Sequence, residues 1–210
     1  LKRGYLLQDP FRDHHFHLAP VDRGFLTDEE ILRIANKELM IPRLELVRDL
    51  FLFSCFTGLA YIDVANLRRE HLVTLDGKAW IMTRRKKTSV ESNILLLDIP
   101  KAIIEKYSSS TTSKDGKLFP ILSNQKMNAY LKEIADVCGV QKRLTFHLAR
   151  HTFATMSLSK GVPMESVSKM LGHTNIKTTQ IYARITSKKI EHDMEQLAGK
   201  LDKFNEAMGL

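Results

Sequence analysis

The chain has 210 residues and a hydrophobic fraction of 43%, which suits one large or two small globular domains with a full core. Its net charge of +8 favours a polyanionic partner, with nucleic acid as the first candidate and an anionic membrane surface as the second. No run of about 18 apolar residues occurs, so a transmembrane helix is not expected. Two cysteines, Cys55 and Cys138, are too few for a disulfide framework and fit a reducing cytoplasm.

The first third of the sequence predicts a linker followed by three helices. Residues 1–22 contain prolines and histidines without a clean period, so they are expected to form a linker or arm. Thr27 is followed three residues later by Glu30, the pattern of a capping box at a helix start. Pro42 suits the first turn of a second, mostly apolar helix, which Gly58 interrupts. The helices are expected over residues 27–35, 41–56 and 59–67.

The middle of the sequence changes to a strand pattern and then returns to helices. Three short strands are expected over residues 72–74, 79–83 and 94–99. Asp76 and Gly77 mark a hairpin turn between the first two strands. A polar loop is expected at 108–117, and helices are expected over residues 125–138, 148–160, 163–171, 176–183 and 187–208. The predicted fold class is therefore α+β, mainly helical, with a small three-stranded antiparallel sheet.

An ordered set of polar residues lies near the C-terminus. His147 and Arg150 are one helical turn apart, so their side chains can face one point. Gly172 is expected to end a helix directly before His173, and Tyr182 follows nine residues later. A zinc site made by His147, His151 and His173 is an alternative, but no acidic fourth ligand completes it. The sequence therefore predicts neither a metal nor a cofactor.

The order His-x-x-Arg, Leu-Gly-His and Tyr resembles the tyrosine recombinase, or phage integrase, family. The sequence around these residues is similar to the family too, in three segments: Arg150-His-Thr-Phe-Ala-Thr, Leu171-Gly-His-Thr and Thr178-Thr-Gln-Ile-Tyr-Ala. Thr57-Gly-Leu with Asp63 resembles the family's first box, and Lys87-Thr88 resembles its sheet turn. The resemblance covers the chain from about Thr27 onward and points to integrases of Bacteroidetes mobile elements. It implies the catalytic fold that breaks and rejoins DNA.

The resemblance implies a site-specific recombinase that works through a 3′-phosphotyrosyl intermediate, with integration or excision of a conjugative transposon or prophage as its setting. Tyr182 would be the nucleophile, and Arg150 would hold the scissile phosphate. His147 and His173 would hydrogen-bond that phosphate or assist proton transfer. A guanidinium suits the charge of phosphate oxygens, and the tyrosyl link stores the bond energy, so no high-energy cofactor is required.

The resemblance also gives roles to residues of the first box and the sheet turn. Lys87 would be the general acid for the 5′ oxygen, with Lys86 as a competitor. Asp63 would orient an arginine or a histidine, and His151 would pack locally or in the core. The basic run is expected to contact DNA, and its members are Arg84, Arg85, Lys86 and Lys87.

The sequence departs from the family at its first arginine, because Ala60 stands where the first box usually has that residue. An alanine cannot neutralise phosphate charge. Arg48, on an otherwise apolar helix, is the substitute we expect, although it could equally be a surface arginine on that helix. Lesser candidates are Arg68, Arg69 and Arg84.

The expected organisation has three parts. Residues 1–22 would be the linker from an N-terminal domain that clamps DNA, and 23–186 the catalytic domain. Residues 187–210 would be a C-terminal helix that packs on a neighbouring protomer or folds back on its own domain. The expected partners are double-stranded DNA, three further copies in a homotetrameric synapse and host DNA-bending factors, in the bacterial cytoplasm at the nucleoid. Alternatives are a catalytically impaired DNA-binding protein, which Ala60 favours, and a type IB topoisomerase-like enzyme.

Overall fold

The structure is a computed structural model, and it describes residues 24–108, 116–182, 187–201 and 208. The linker predicted at 1–22 and most of the polar loop predicted at 108–117 lie outside the described residues. The described part has the predicted α+β class, being mainly helical with one three-stranded antiparallel sheet. None of its helices is long and apolar enough to cross a membrane.

Three helices open the fold, as predicted. Helix α1 (Asp28–Asn36) begins at a complete capping box, in which Thr27 and Glu30 satisfy each other's backbone N–H groups. Helix α2 (Pro42–Thr57) starts at its proline and ends where Gly58 takes the left-handed conformation, with φ of 69°. Helix α3 (Tyr61–Ala65) is shorter than the predicted 59–67.

The sheet is formed by β1 (Leu72–Leu75), β2 (Lys78–Arg84) and β3 (Glu91–Leu95), in that spatial order. The predicted hairpin turn is confirmed, because Asp76 and Gly77 have φ of 49° and 73° and Leu75 pairs with Lys78. The predicted third strand was misplaced by several residues.

The segment assigned to the end of that strand instead begins a helix, α4 (Asp98–Ser108), which the sequence pattern missed. The apolar run of residues 94–97 spans the end of β3 and the connection to α4, so its composition alone could not separate them. Asp98 and Pro100 both suit the first turn of a helix, the first because of the helix dipole and the second because of its fixed φ.

The remaining helices are α5 (Asn124–Cys138), α6 (Phe146–Ser159), α7 (Met164–Leu171), α8 (Lys177–Gln180) and α9 (Ser187–Lys200). The helix predicted from residue 187 extends to 208, and residues 202–207 lie outside the described part of the chain. Helix α6 begins two residues earlier than predicted, because the Thr145 hydroxyl accepts a hydrogen bond from the Leu148 N–H. His147 is therefore inside the first turn of α6. Helix α8 is shorter than predicted, so Tyr182 lies just beyond its end.

The main core surrounds α2, which packs against α4, α5 and α6. Leu50, Phe51 and Phe53 of α2 are fully buried. A second, smaller apolar cluster lies between the end of α6 and α7, and it consists of Phe153, Ala154, Val167, Leu171 and Tyr182. The candidate site forms where these two clusters meet the turn between β2 and β3.

Candidate active site

Arg150 lies in the middle of α6, where its side chain is almost fully buried. Its Nη1 donates to the Gly58 carbonyl at 2.7 Å, and its Nη2 donates to the Leu171 carbonyl at 2.6 Å. Burial, followed by the nearby positive charge of Arg85, lowers the pKa of Arg150 to about 10. The guanidinium is still charged at neutral pH, and backbone carbonyls hold it in one orientation.

The Thr57–Gly58 segment explains how Arg150 reaches this position. Gly58 turns the chain at the end of α2 and directs its carbonyl toward the guanidinium. A Cβ at Gly58 would lie 2.5 Å from Phe153 and 2.8 Å from Leu171. Only glycine therefore allows this close approach of α2 to α6 and α7.

Arg85 brings a second guanidinium to the same carbonyl. It directly follows β2, its side chain is buried, and its Nη1 donates to the Leu171 carbonyl at 2.6 Å. Because both arginines bind one oxygen atom, their positive charges lie side by side. Arg85 is predicted above only as part of the DNA-contacting run, although strand alternation puts it on the same face as the buried Ile81. That alternation is the signal that could have identified it.

Asp63 orients Arg85 and the start of the turn. Its Oδ2 lies 2.6 Å from Arg85 Nε, and its Oδ1 accepts a hydrogen bond from the Lys86 backbone N–H at 2.9 Å. The carboxylate is nearly inaccessible, so this ion pair is poorly screened by water. Of the two partner types predicted for Asp63, the structure places an arginine against it.

Gly172 makes room for the Arg85 side chain. It ends α7 with φ of 60°, and a Cβ at this position would lie 2.5 Å from Arg85 Cγ. The bend and the absent side chain together let the aliphatic part of Arg85 pass over the chain toward Leu171.

We expect Gly172→Ala to destabilise the fold by about 2–5 kcal/mol, from left-handed strain of about 1–2 kcal/mol and overpacking of about 1–3 kcal/mol. Gly139→Ala is the matched control, because Gly139 ends α5 with φ of 64° and its Cβ would meet only Arg33 Nη1 at 3.9 Å. Chemical denaturation should give a smaller loss for Gly139→Ala. Equal losses in the two variants would contradict the packing argument for Arg85.

His173 connects the arginines to the tyrosine. Its Nε2 lies 3.0 Å from Arg150 Nη2, and its Nδ1 lies 2.8 Å from Thr179 Oγ1. Because a guanidinium can only donate, Nε2 is the acceptor and the neutral ring carries its proton on Nδ1, which donates to Thr179. Burial, then Arg150 and Arg85, lower the pKa of His173 to about 4. The imidazole is therefore neutral at physiological pH.

The titration of His173 can be measured directly. In NMR spectra of the free protein, we expect its ring resonances to titrate with a midpoint of about 4. Between pH 6.5 and 4 the unfolded chain would bind a proton that the folded site rejects, so the folded state loses stability as the pH falls through this window. A midpoint near 6.5 would contradict the contact with Arg150. Binding of a phosphate anion should raise the midpoint, because it adds negative charge.

Tyr182 lies just after α8 with its ring buried in the smaller apolar cluster. Its ring is stacked with that of His173 at a centroid distance of 6.3 Å. The His151 ring meets it edge-on at 4.7 Å, and His151 Nε2 lies 2.9 Å from His147 Nε2. The structure thus brings four of the predicted residues together: His147, Arg150, His173 and Tyr182.

The turn between β2 and β3 presents the other basic residues. Lys86 and Lys87 are exposed there, and Arg84 is exposed and pairs with Glu91 at 2.8 Å. The turn closes through a hydrogen bond from the Ser89 N–H to the Arg85 carbonyl. Lys87 is thus two residues from the buried Arg85, on the solvent side of the site.

Arg48 does not join this cluster, which corrects our choice of substitute for the missing arginine. Its Nε donates to Asp49 at 2.9 Å, and its Nη1 donates to the Lys37 carbonyl at 2.8 Å. Both contacts hold Arg48 on the face of α2 toward the end of α1. The arginine beside Arg150 is Arg85. Within the described residues, no group of three or more His, Cys, Asp or Glu side chains could hold a metal ion.

Comparison with known proteins places this chain in one family. The model of the phage integrase family matches residues 25–189. The tyrosine recombinase XerC of Chlorobaculum tepidum is 35% identical over 185 residues, which cover 79% of this chain and 54% of that protein. The chain thus spans about half the length of that relative.

Two solved structures show the same fold. One is the XerH site-specific recombinase bound to palindromic difH substrate in a post-cleavage complex, with a TM-score of 0.69, 19% identity, and coverage of 82% of this chain and 52% of that one. The other is the Tn1549 transposon integrase in complex with transposon right end DNA, with a TM-score of 0.65, 16% identity, and coverage of 94% and 74%. The arginines, His173 and Tyr182 all fall within the matched family region.

Proposed function

Because this chain belongs to the phage integrase family, we propose that it carries the active site of a site-specific DNA recombinase. In this proposal, DNA is cleaved and rejoined through a 3′-phosphotyrosyl bond to Tyr182. The observation that carries it is the pair of buried guanidinium groups, Arg85 and Arg150, on one carbonyl oxygen. Arg150 contacts His173, and the His173 ring stacks with that of Tyr182. The recombinase names of the relatives support the same activity.

The charge of the site favours a phosphate. Two buried guanidinium groups face one carboxylate, that of Asp63, and His173 is neutral at physiological pH. Buried like charges side by side are unfavourable unless an anion joins them. A phosphodiester supplies that anion, and guanidinium groups can donate two hydrogen bonds to its oxygens. The net charge of +8 favours the approach of DNA to this surface.

The proposed reaction is balanced without a cofactor. The Tyr182 oxygen attacks phosphorus and gives its proton to a neutral imidazole of the site, that of His147 or His173, while the bond from phosphorus to the 5′ oxygen breaks. Lys87 donates a proton to the departing 5′ oxygen. Rejoining is the reverse step, in which a 5′ hydroxyl attacks the phosphotyrosyl bond and Tyr182 leaves. Arg85 and Arg150 stabilise the charge that grows on the non-bridging oxygens.

Within this mechanism Arg85 supplies the guanidinium group that is missing because residue 60 is an alanine. It approaches Leu171 from the sheet, whereas Ala60 lies at the start of α3. The ion pair with Asp63 directs it, so the carboxylate acts on the phosphate only through Arg85. His147, which is exposed, would hydrogen-bond the phosphate from the first turn of α6.

For the biological setting, we propose integration or excision of a mobile element of Bacteroidetes-type bacteria. The structural similarity to a transposon integrase supports such a setting. The residues of the motifs suggest the group of bacteria. The active form would be a homotetramer on two DNA duplexes, assisted by DNA-bending proteins in the cytoplasm. The exposed apolar side chains of α9, Met194 and Leu197, would contact a neighbouring copy.

A nicked-duplex experiment tests the activity and its polarity. The full natural chain is incubated with duplexes nicked near a site selected from random DNA by binding, so that the cleaved end diffuses away. We expect a protein–DNA species that survives SDS and heat and retains label placed on the 5′ side of the break. Label retained from the 3′ side would contradict a 3′-phosphotyrosyl link. Stable binding without any adduct would favour the alternative of a catalytically impaired DNA-binding protein.

A further inference from the structure

His151 occupies a position between two residues of the proposed mechanism. It lies one turn after His147 on α6, and their Nε2 atoms are 2.9 Å apart. On the other side, its ring meets that of Tyr182 nearly at right angles, with centroids 4.7 Å apart and an interplanar angle of 82°. His147 is exposed, whereas His151 and Tyr182 are buried.

We propose that His151 is a positioning residue. It sets which ring nitrogen of His147 carries the proton, and it holds the Tyr182 ring in its orientation. The inference rests on the recombinase function proposed above and adds a residue to it. The proposal does not require His151 to contact DNA. It acts through the two residues that it joins.

The first part of the inference follows from the hydrogen bond. A bond between two Nε2 atoms contains one proton, so one ring donates and the other accepts. The accepting ring must be neutral with its proton on Nδ1. While the bond persists, the pair therefore carries at most one extra proton, and the tautomer of each ring depends on the other. His147 presents a defined pattern of donor and acceptor atoms to an incoming phosphate for this reason.

The second part follows from packing. An edge-on arrangement of aromatic rings is favourable beyond burial alone, and it restricts how the Tyr182 ring can tilt. His173 limits the same ring from another side by stacking. Since attack on phosphorus requires the oxygen to approach in line, a displacement of about 1 Å would slow cleavage on the order of 100-fold.

The burial of His151 indicates that its nitrogen atoms are needed. The residue is 6% exposed and borders the apolar cluster that contains Phe153 and Tyr182. A phenylalanine would fill such a position without polar atoms. The two ring nitrogens of a buried histidine, in contrast, each need a hydrogen-bond partner. The bond to His147 supplies one such partner.

Two variants separate these contributions. His151→Phe keeps a flat ring against Tyr182 but cannot bond to His147, whereas His151→Gln keeps a hydrogen-bonding group. With nicked duplexes in single-turnover assays, we expect His151→Phe to slow adduct formation by about 10- to 100-fold while the DNA dissociation constant stays within about twofold. His151→Gln should also cleave more slowly than the wild-type protein, because it loses the ring that meets Tyr182. Wild-type cleavage by His151→Phe would overturn the role toward His147, and wild-type cleavage by His151→Gln would overturn the role toward Tyr182.

An NMR measurement distinguishes failure of this inference from failure of the recombinase proposal. The ¹⁵N shifts of the His147 ring report which nitrogen carries the proton. We expect one dominant tautomer in the wild-type protein and a mixture in His151→Phe. If no protein forms an adduct, the recombinase proposal is wrong, and the NMR result alone decides whether His151 sets the His147 tautomer. Identical His147 spectra in the two proteins would overturn that part.

Discussion

Tyr182→Phe is expected to abolish adduct formation, lowering it by at least about 1000-fold. The change removes one oxygen atom and keeps the ring that stacks with His173 and meets His151. The fold and the surrounding charges should therefore persist. The measurement is the rate of adduct formation on nicked duplexes, together with the DNA dissociation constant of each protein.

The control for this variant is a tyrosine outside the site. Tyr61 donates a hydrogen bond from its hydroxyl to the Leu122 carbonyl at 2.7 Å. Tyr61→Phe should cleave at nearly the wild-type rate and lose only stability, by about 1 kcal/mol for one hydrogen bond. Persistent adduct formation in Tyr182→Phe would mean that another residue is the nucleophile.

Arg85→Lys is expected to reduce the cleavage rate by about 100-fold while DNA binding stays close to that of the wild-type protein. Lysine keeps a positive charge near the buried Asp63, so the variant avoids leaving that carboxylate without a counter-charge. It lacks the planar group that binds Leu171 through Nη1 while Nε faces Asp63. Single-turnover cleavage and thermal unfolding of the same samples would measure both effects.

Arg48→Ala is the matched comparison, because it tests the arginine that the sequence alone suggested. Arg48 bonds to Asp49 and to the Lys37 carbonyl, so its loss should lower stability without changing cleavage by more than about threefold. The reverse result, with slow cleavage by Arg48→Ala and normal cleavage by Arg85→Lys, would restore Arg48 as the substitute for the arginine missing at Ala60.

Local chemistry explains why most of the fold could be predicted. The capping box at Thr27, the hairpin at Asp76–Gly77 and the glycine that ends α7 are signals that depend on neighbouring residues. The third strand and α4 could not be separated in the same way. The apolar run before Asp98 fits the end of a strand and the approach to a helix equally well.

The site was predictable wherever a motif fixed the spacing, as for His147, Arg150, His173 and Tyr182. The position of Arg85 depends on a contact across 86 residues of sequence, from its guanidinium to the Leu171 carbonyl. Strand alternation from Ile81 indicates that Arg85 faces the core, but no local pattern identifies the Leu171 carbonyl as its partner. The contact of His151 with Tyr182 could not be predicted for a similar reason, since it crosses from α6 to the segment after α8.

The most direct test of the central claim is to identify the amino acid that becomes bonded to DNA. The adduct would be trapped on a nicked duplex, digested with nuclease and trypsin, and analysed by mass spectrometry. The account predicts that the peptide of residues 178–184, which contains Tyr182 between the cleavage sites at Lys177 and Arg184, carries the added nucleotide mass. The same mass on any other peptide, with residues 178–184 unmodified, would contradict it.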